Sequence, residues 1–127
     1  VSLAIISWIN ANTNIDDKIL VFPEGEHISY LTSRKTDLML YSLHDIFIET
    51  FGNDFIKKRI LESDIEYIFD VSEYVYNGMV LSKKTYETDY IKNLLSNEFY
   101  LFSIIPVPWN NVDKKIIIYK KNKKPAT

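Results

Sequence analysis

The sequence predicts an α/β fold: a small, mostly parallel sheet of about four strands with an antiparallel edge hairpin, and helices packed on the sheet. Short runs rich in Ile, Val, Phe and Tyr alternate with segments whose apolar residues recur at helical spacing. After its first residue, the run at residues 18–22 is apolar without interruption, which is typical of a strand covered on both faces. A chain of 127 residues is long enough for one domain with its own core.

The N-terminal part is predicted to form a helix, a strand and a second helix in turn. Five large apolar side chains within residues 3–9 favour a short helix, which the polar residues after it should end. The strand at residues 18–22 stops at Pro23, and we expect its apolar residues to be buried in a central strand. Gly25 predicts a tight turn into a short helix over residues 26–32.

The rest of the chain is predicted to continue with helices and then strands. Apolar residues share one helical face across residues 43–61, and Gly52-Asn53-Asp54 should divide this segment, with Asn53 or Asp54 capping the second helix. Asn77-Gly78 predicts a turn within a loop at residues 74–86. Thr88 and Asp89 should cap a helix at residues 90–95, strands are expected at residues 65–71, 99–106 and 116–119, and residues 108–111 should form the last hairpin connection.

The predicted order of elements is therefore α-β-α-α-β-α-β-β. Strands that alternate with helices are typical of two-layer or three-layer α/β domains, in which right-handed crossovers place the helices on the sheet faces. This alternation predicts mostly parallel pairing, and the final pair of strands predicts the antiparallel edge. We expect residues 1–127 to form a single soluble domain.

Composition excludes several classes of function. A formal net charge of −2 and a sequence pI of about 5.7 give no general basic field, so no nucleic-acid partner is expected. The chain has no cysteine, which excludes thiol nucleophiles and thiolate metal sites. Its three glycines build neither a dinucleotide fingerprint nor a phosphate loop, and no nucleophile–base motif is visible. We therefore expect no catalytic residue, no cofactor and no metal in this chain.

A small cluster of carboxylates and an imidazole follows the first predicted strand. Glu24, Glu26 and His27 lie where open α/β sheets bind ligands, outside the carboxyl ends of their strands. A carboxylate and a histidine also suit a divalent cation, but three residues on one surface turn are more often simply solvated. With Tyr30 on the helix that follows and Arg34 at its end, these residues form the candidate binding set.

Arg34 is the most informative single charge of the candidate set. Its planar guanidinium group suits the recognition of a phosphate or carboxylate. It equally suits a structural bridge to the acidic turn at Glu24 and Glu26 or to the carbonyls that end a helix. We favour the structural interpretation and expect Arg34 to hold the structure rather than a substrate.

Three other sets of residues have both a functional and a structural interpretation. Asp64, Asp70 and Glu73 flank the strand at residues 65–71 and offer an acid–base pair, although carboxylates at strand ends are commonly caps. The basic segment at residues 114–124 suits anionic lipid, and a solvated terminus is the alternative. Four tyrosines either stack on sugar rings or fill a core and its rim: Tyr74, Tyr76, Tyr86 and Tyr90.

Short motifs along nearly the whole chain carry a resemblance to a known family. They are Trp8-Ile9, Asn12-Thr13, Lys18-Ile19-Leu20-Val21, Pro23-Glu24-Gly25, Ile28, Tyr30-Leu31, Arg34, Ile65-Glu66-Tyr67-Ile68, Tyr90-Ile91, Asn97-Glu98-Phe99-Tyr100 and Ile117-Ile118-Tyr119-Lys120. Together they resemble the C-terminal extracytoplasmic domain of C-type membrane glycosyltransferases, similar to the dolichyl-phosphate-mannose protein mannosyltransferases and their bacterial or archaeal relatives. The resemblance is weakest at residues 37–54 and 77–88.

The resemblance implies that the chain is part of a longer polytopic membrane protein. That protein would transfer a sugar from a polyprenyl- or dolichyl-phosphate-linked donor outside the cytoplasm, with its catalytic acidic residue upstream of Val1. This chain would be an accessory domain without catalysis of its own, monomeric as a fragment, at the extracytoplasmic face of the membrane. Its partners would be the transmembrane part of the parent protein and a glycan or lipid-linked sugar acceptor. A free-standing α/β ligand-binding or protein-interaction module is the alternative.

Overall fold

Within the residues that the structure describes, eight elements follow the predicted order of helices and strands, and the α/β fold is confirmed. A computed structural model describes residues 2–22, 26–35, 50–72, 90–108 and 113–123. The turn expected at residues 23–25, segments 36–49 and 73–89, and residues 109–112 of the hairpin connection lie outside the described residues. The elements are α1 (Ser2–Asn12), β1 (Lys18–Phe22), α2 (Glu26–Thr32), α3 (Asn53–Glu62), β2 (Ile65–Asp70), α4 (Tyr90–Leu94), β3 (Phe99–Pro106) and β4 (Lys115–Lys121).

The four strands form one mixed sheet in the order β1-β2-β4-β3. β1 and β2 are parallel, whereas β4 is antiparallel to both of its neighbours, β2 and β3. The prediction of a mostly parallel sheet is therefore wrong, and the antiparallel edge hairpin is confirmed. The physical reason lies in β4. The strands that alternate with helices, β1, β2 and β3, all run in one direction, but β4 inserts between β2 and β3 and separates them.

β1 is buried on both faces, as its apolar sequence predicts, but it is an edge strand of the described sheet rather than a central one. Ile19 and Phe22 are fully buried, and Leu20 and Val21 are nearly so. Helices above and below a strand bury its side chains, whereas its hydrogen-bonding neighbours lie in the plane of the sheet. Burial therefore does not determine a strand's place in the order. Beyond the pairing with β2, the N–H of Ile19 donates to the carbonyl of Lys35 at 3.0 Å.

Helices cover both faces of the sheet, so the domain has three layers. Because successive residues of a strand point to opposite faces, each strand contributes to two cores. The core under α1 and α2 contains Ile5, Ile9, Ile19, Val21, Ile28, Tyr67, Phe69, Val71, Ile116 and Ile118. The core under α3 and α4 contains Leu20, Phe22, Ile56, Ile60, Ile65, Ile68, Tyr90, Ile91, Leu95, Phe99, Ile117 and Tyr119.

α3 begins after Gly52, and the prediction that Asn53 or Asp54 caps this helix is wrong. Gly52 is the N-cap residue, with φ of 83°, a region that residues with a Cβ rarely adopt. Asn53 and Asp54 are the first residues of the helix itself, where the carboxylate of Asp54 lies favourably near the positive end of the helix dipole. The side chain of Asn53 instead accepts a hydrogen bond from Tyr90.

Tyr90 connects α4 to β1 and α3 within the core. Its ring stacks on that of Phe22, with centroids 5.4 Å apart and planes inclined by 9°. Its hydroxyl donates to Asn53 Oδ1 at 2.9 Å. Burial raises the pKa of Tyr90 to about 12, because the phenolate would lose its hydration. The folded structure therefore favours the neutral phenol.

We predict that Tyr90 makes the free energy of unfolding fall as the pH rises from 10 to about 12. Below this range Tyr90 is neutral in both states. Within it, the unfolded state loses the proton first, because the folded state has the higher pKa, and the difference corresponds to about 2–3 kcal/mol. Urea unfolding of wild type and Tyr90→Phe on both sides of pH 10 measures this contribution. An equal fall in both proteins would contradict the prediction.

Candidate functional site

Tyr30 and Arg34, two residues of the candidate binding set, have different environments in the structure. Tyr30 is largely exposed on α2, whereas Arg34, which follows that helix, has only 8% of its surface exposed. Glu24 and the side chains of Glu26 and His27 lie outside the described residues. The grouping of these five residues into one binding site therefore stays a prediction.

Arg34 uses all five N–H groups of its guanidinium within the protein. Its Nε donates to Thr13 Oγ1 at 3.2 Å. Its Nη1 donates to Asn10 Oδ1 at 3.2 Å and to the Thr32 carbonyl at 2.7 Å. Its Nη2 donates to the Thr13 carbonyl at 3.0 Å and to the Ile9 carbonyl at 3.5 Å. No N–H of this side chain is left over for a ligand in this conformation.

The hydrogen bonds of Arg34 join the C-terminal ends of α1 and α2. Carbonyl groups at a helix C-terminus lack intrahelical partners and carry partial negative charge, so a cation is favourable there without a carboxylate. The last turn of α1 has no basic residue of its own, and Arg34 supplies the charge from elsewhere in the chain. This geometry favours the structural interpretation, with helix ends as partners. A contact with Glu24 or Glu26 lies outside the described residues.

Asp64 and Asp70, two of the three carboxylates that flank β2, do not pair with each other as acid and base. Asp64 and Asp70 stand at opposite ends of this six-residue strand, roughly 20 Å apart, beyond hydrogen-bond reach. Asp70 is buried, and its Oδ1 accepts a hydrogen bond from the N–H of Ser72 at 2.9 Å. Asp64 is exposed and pairs with Lys121 at 3.9 Å. Both contacts are structural, and Glu73 lies outside the described residues.

The described ranges contain neither a metal-binding cluster nor a membrane-spanning helix. There, no group of three or more His, Cys, Asp or Glu residues is arranged to hold a metal ion. In the same ranges, no helix combines the length and apolar character that crossing a bilayer requires.

An aromatic cluster that the sequence analysis did not identify lies on the α1 face of the sheet, beside β3. Trp8 makes edge-to-face contacts with Tyr67, Phe69 and Phe102, at centroid distances of 5.9, 5.6 and 6.1 Å. Phe102 also contacts Tyr67 at 6.0 Å and Tyr100 at 6.1 Å. Edge-to-face pairs place the positive edge of one ring on the negative face of another. The cluster runs from the buried ring of Phe69 to the exposed ring of Tyr100.

Lys120 of β4 lies over the outer part of this aromatic cluster. Its Nζ is 5.3 Å from the centre of the Tyr67 ring and 5.0 Å from that of Phe102, distances at which a cation is attracted to an aromatic face. A side-chain hydrogen bond with Tyr67 raises the pKa of Lys120 above its usual value. The ammonium group therefore stays protonated at neutral pH and places a positive charge beside the exposed rings.

In the described sheet, β3 is an edge strand that presents uncharged, apolar side chains to solvent. The eight residues of this strand include no charged side chain, although edge strands commonly carry charges that discourage pairing with other chains. In the sequence, this surface is indicated only by the uncharged run at residues 99–106. A fully buried strand has the same kind of run, so the pattern does not predict exposure. Four large side chains between 41% and 54% exposed form what we call the β3 rim: Tyr100, Leu101, Phe102 and Ile104.

Comparisons with known proteins do not add to this description. No protein-family model, no curated protein and no solved structure matched the chain. The resemblance to glycosyltransferase domains therefore remains a prediction from short sequence motifs.

We predict that Arg34→Ala lowers the free energy of unfolding by roughly 2–3 kcal/mol. The change removes a buried cation and leaves carbonyl acceptors at two helix ends without their donor. Lys35→Ala is the matched control, because this neighbouring side chain is exposed and its backbone bond to Ile19 is kept. Thermal or urea unfolding of the three proteins measures the effect. An unchanged midpoint for Arg34→Ala would contradict the structural role and favour ligand binding.

Proposed function

We propose that this chain is a non-catalytic interaction domain and that it serves as the accessory extracytoplasmic domain of a membrane glycosyltransferase-like protein. The β3 rim is the observation that carries the proposal. An uncharged strand edge with four exposed apolar side chains, next to the cation of Lys120, offers a contact surface rather than a reaction centre. Contiguous exposed apolar surface bordered by polar groups is typical of sites that bind other molecules.

The charged side chains in the described ranges support a non-catalytic role. Arg34 donates to helix ends, and Asp70 accepts from a backbone N–H at the end of β2. Lys57 pairs with Glu98 at 3.1 Å. A reaction centre requires a nucleophile, base or acid aimed at a shared position, and these residues are instead engaged with their own scaffold.

The link to glycosyl transfer is supported by the sequence motifs. In that setting the parent protein uses a polyprenyl- or dolichyl-phosphate-linked sugar, and its catalytic acidic residue lies in an early extracytoplasmic loop upstream of this chain. The domain contacts that part and, through its exposed aromatic rings, the glycan or lipid-linked acceptor. Aromatic side chains such as Tyr100 and Phe102 suit both kinds of contact, because they combine a large apolar surface with stacking.

A free-standing interaction module is the second candidate, because the β3 rim serves a soluble partner equally well. The two candidates differ in what precedes this chain in its gene. Many hydrophobic segments with an acidic residue in the first outside loop support the membrane enzyme. A short polar upstream region supports the free-standing module and contradicts the accessory role.

We predict that the purified chain alone transfers no sugar from a polyprenyl-phosphate-linked donor, whereas the full-length protein does so. The physical reason is that the described residues bring no acid and base together, while the resemblance places the catalytic acid elsewhere. Transfer of radiolabelled sugar to an acceptor, with the full-length protein as positive control, measures this. Turnover by the isolated chain would contradict the accessory role, and inactive full-length protein would contradict the assignment to glycosyl transfer.

A further inference from the structure

Charge is divided unequally along this chain. Residues 1–89 contain 8 Lys and Arg against 15 Asp and Glu, a net charge of −7. Residues 90–127 contain 7 against 2, a net charge of +5. The overall charge of −2 is therefore the sum of an acidic part, residues 1–89, and a shorter basic part, residues 90–127.

The fold places the two strands of the basic part side by side. Residues 90–127 contribute β4 and β3, which are neighbours at one end of the described sheet order β1-β2-β4-β3, whereas β1 and β2 come from residues 1–89. We call the end formed by β4 and β3 the basic side. The described lysines of the basic part are Lys92, Lys114, Lys115, Lys120, Lys121 and Lys123.

β3, the strand that carries the rim, is the outermost strand on the basic side of the described sheet. Its own residues are uncharged, and the neighbouring strand supplies the cations: Lys120 is paired in register with Tyr100. Since alternate residues of a strand point to opposite faces, the rim presents apolar side chains above and below the sheet edge. Aromatic and aliphatic side chains bordered by lysines are the combination that membrane interfaces attract.

A lipid surface fits the rim better than an added β-strand. The register of β3 and β4 shifts between Leu101 and Ser103, so β3 is not a regular hydrogen-bonding edge. Pro106, at the end of the strand, has no N–H to offer an incoming strand. An incoming strand would thus meet a broken ladder, whereas a lipid interface needs no hydrogen-bond register.

We propose that the β3 rim binds the interface of an anionic lipid bilayer. Its four exposed side chains enter the headgroup region, and the lysines of the basic side face the lipid phosphates. β1, at the other end of the described sheet, points away from the bilayer, which defines the orientation of the domain on the surface. The inference does not depend on the proposed function, because vesicle binding and glycosyl transfer are measured separately and either result stands without the other.

Sedimentation of the purified chain with vesicles tests the lipid surface. We expect binding to vesicles of phosphatidylcholine with added phosphatidylglycerol, weak binding to phosphatidylcholine alone, and loss of binding between about 0.05 M and about 0.5 M salt, because salt screens the attraction. Absence of binding to the anionic vesicles at low salt would overturn the proposal.

Two matched pairs of variants locate the binding surface. Leu101→Ser with Ile104→Ser should weaken partitioning on the order of tenfold, since apolar area is lost from the interface. Ile15→Ser with Leu31→Ser should leave binding unchanged. These residues are similarly exposed, at 57% and 59%, but they lie outside the rim, in the acidic part of the chain. Circular dichroism of each variant confirms that it remains folded.

The charge variants follow the same design. Lys120→Gln with Lys123→Gln should weaken binding to anionic vesicles by about fivefold per lysine. Lys35→Gln with Lys58→Gln removes the same charge from the acidic part of the chain and should have little effect on vesicle binding. Equal losses in both pairs would overturn the rim as the site. A dimer in light scattering that Leu101→Ser with Ile104→Ser dissociates, without vesicle binding, would assign the rim to a second copy and also overturn the proposal.

Discussion

The insertion of β4 between β2 and β3 is the constraint on which the rest of this structure depends. β4 pairs with both neighbours, so it supplies the hydrogen bonds that join the hairpin to the parallel pair. Ile116 and Ile118 enter the core under α1 and α2, while Ile117 and Tyr119 enter the core under α3 and α4. A central strand covered on both faces needs such a continuous apolar run, because neither set of alternate side chains faces water. One short strand thus connects two cores and displaces β3 to the edge.

The layer formed by α1 and α2 rests on a different kind of contact. Ile5, Ile9 and Ile28 bury apolar surface against the sheet, but the two helix ends are joined through the guanidinium group of Arg34. Carbonyl groups at helix ends have to be hydrogen-bonded when water is excluded. Arg34 meets this requirement for both helices, and its planar fork reaches acceptors in different directions. The guanidinium group of Arg34 suits phosphate recognition, but in this structure it donates its hydrogen bonds within the protein.

The edge position of β3 in the described sheet gives the domain an exposed apolar surface, the β3 rim. An uncharged strand is ordinary at the centre of a sheet, where its side chains are buried. At the edge of the described sheet, β3 leaves four large side chains in contact with solvent. Lys120 adds a positive charge to this surface, because its ammonium group lies over the rings of Tyr67 and Phe102. The same strand order places β4, with Lys120, beside the rim. The apolar surface and the positive charge next to it therefore come from one topological feature.

Within the described ranges, the sequence by itself determined the type and order of the elements and the burial of β1, because local periodicity and uninterrupted apolar runs encode them. It also indicated a structural role for Arg34 from its place after a short helix. Only the tertiary structure decided the strand order, the edge position of β1, the Gly52 cap, the acceptors of Arg34 and the exposure of β3. A hydrophobic run records that both faces of a strand are covered, but not which strand lies beside it in the plane. Hydrogen-bond partners distant in the sequence, such as Arg34 and the end of α1, likewise leave no local pattern to read.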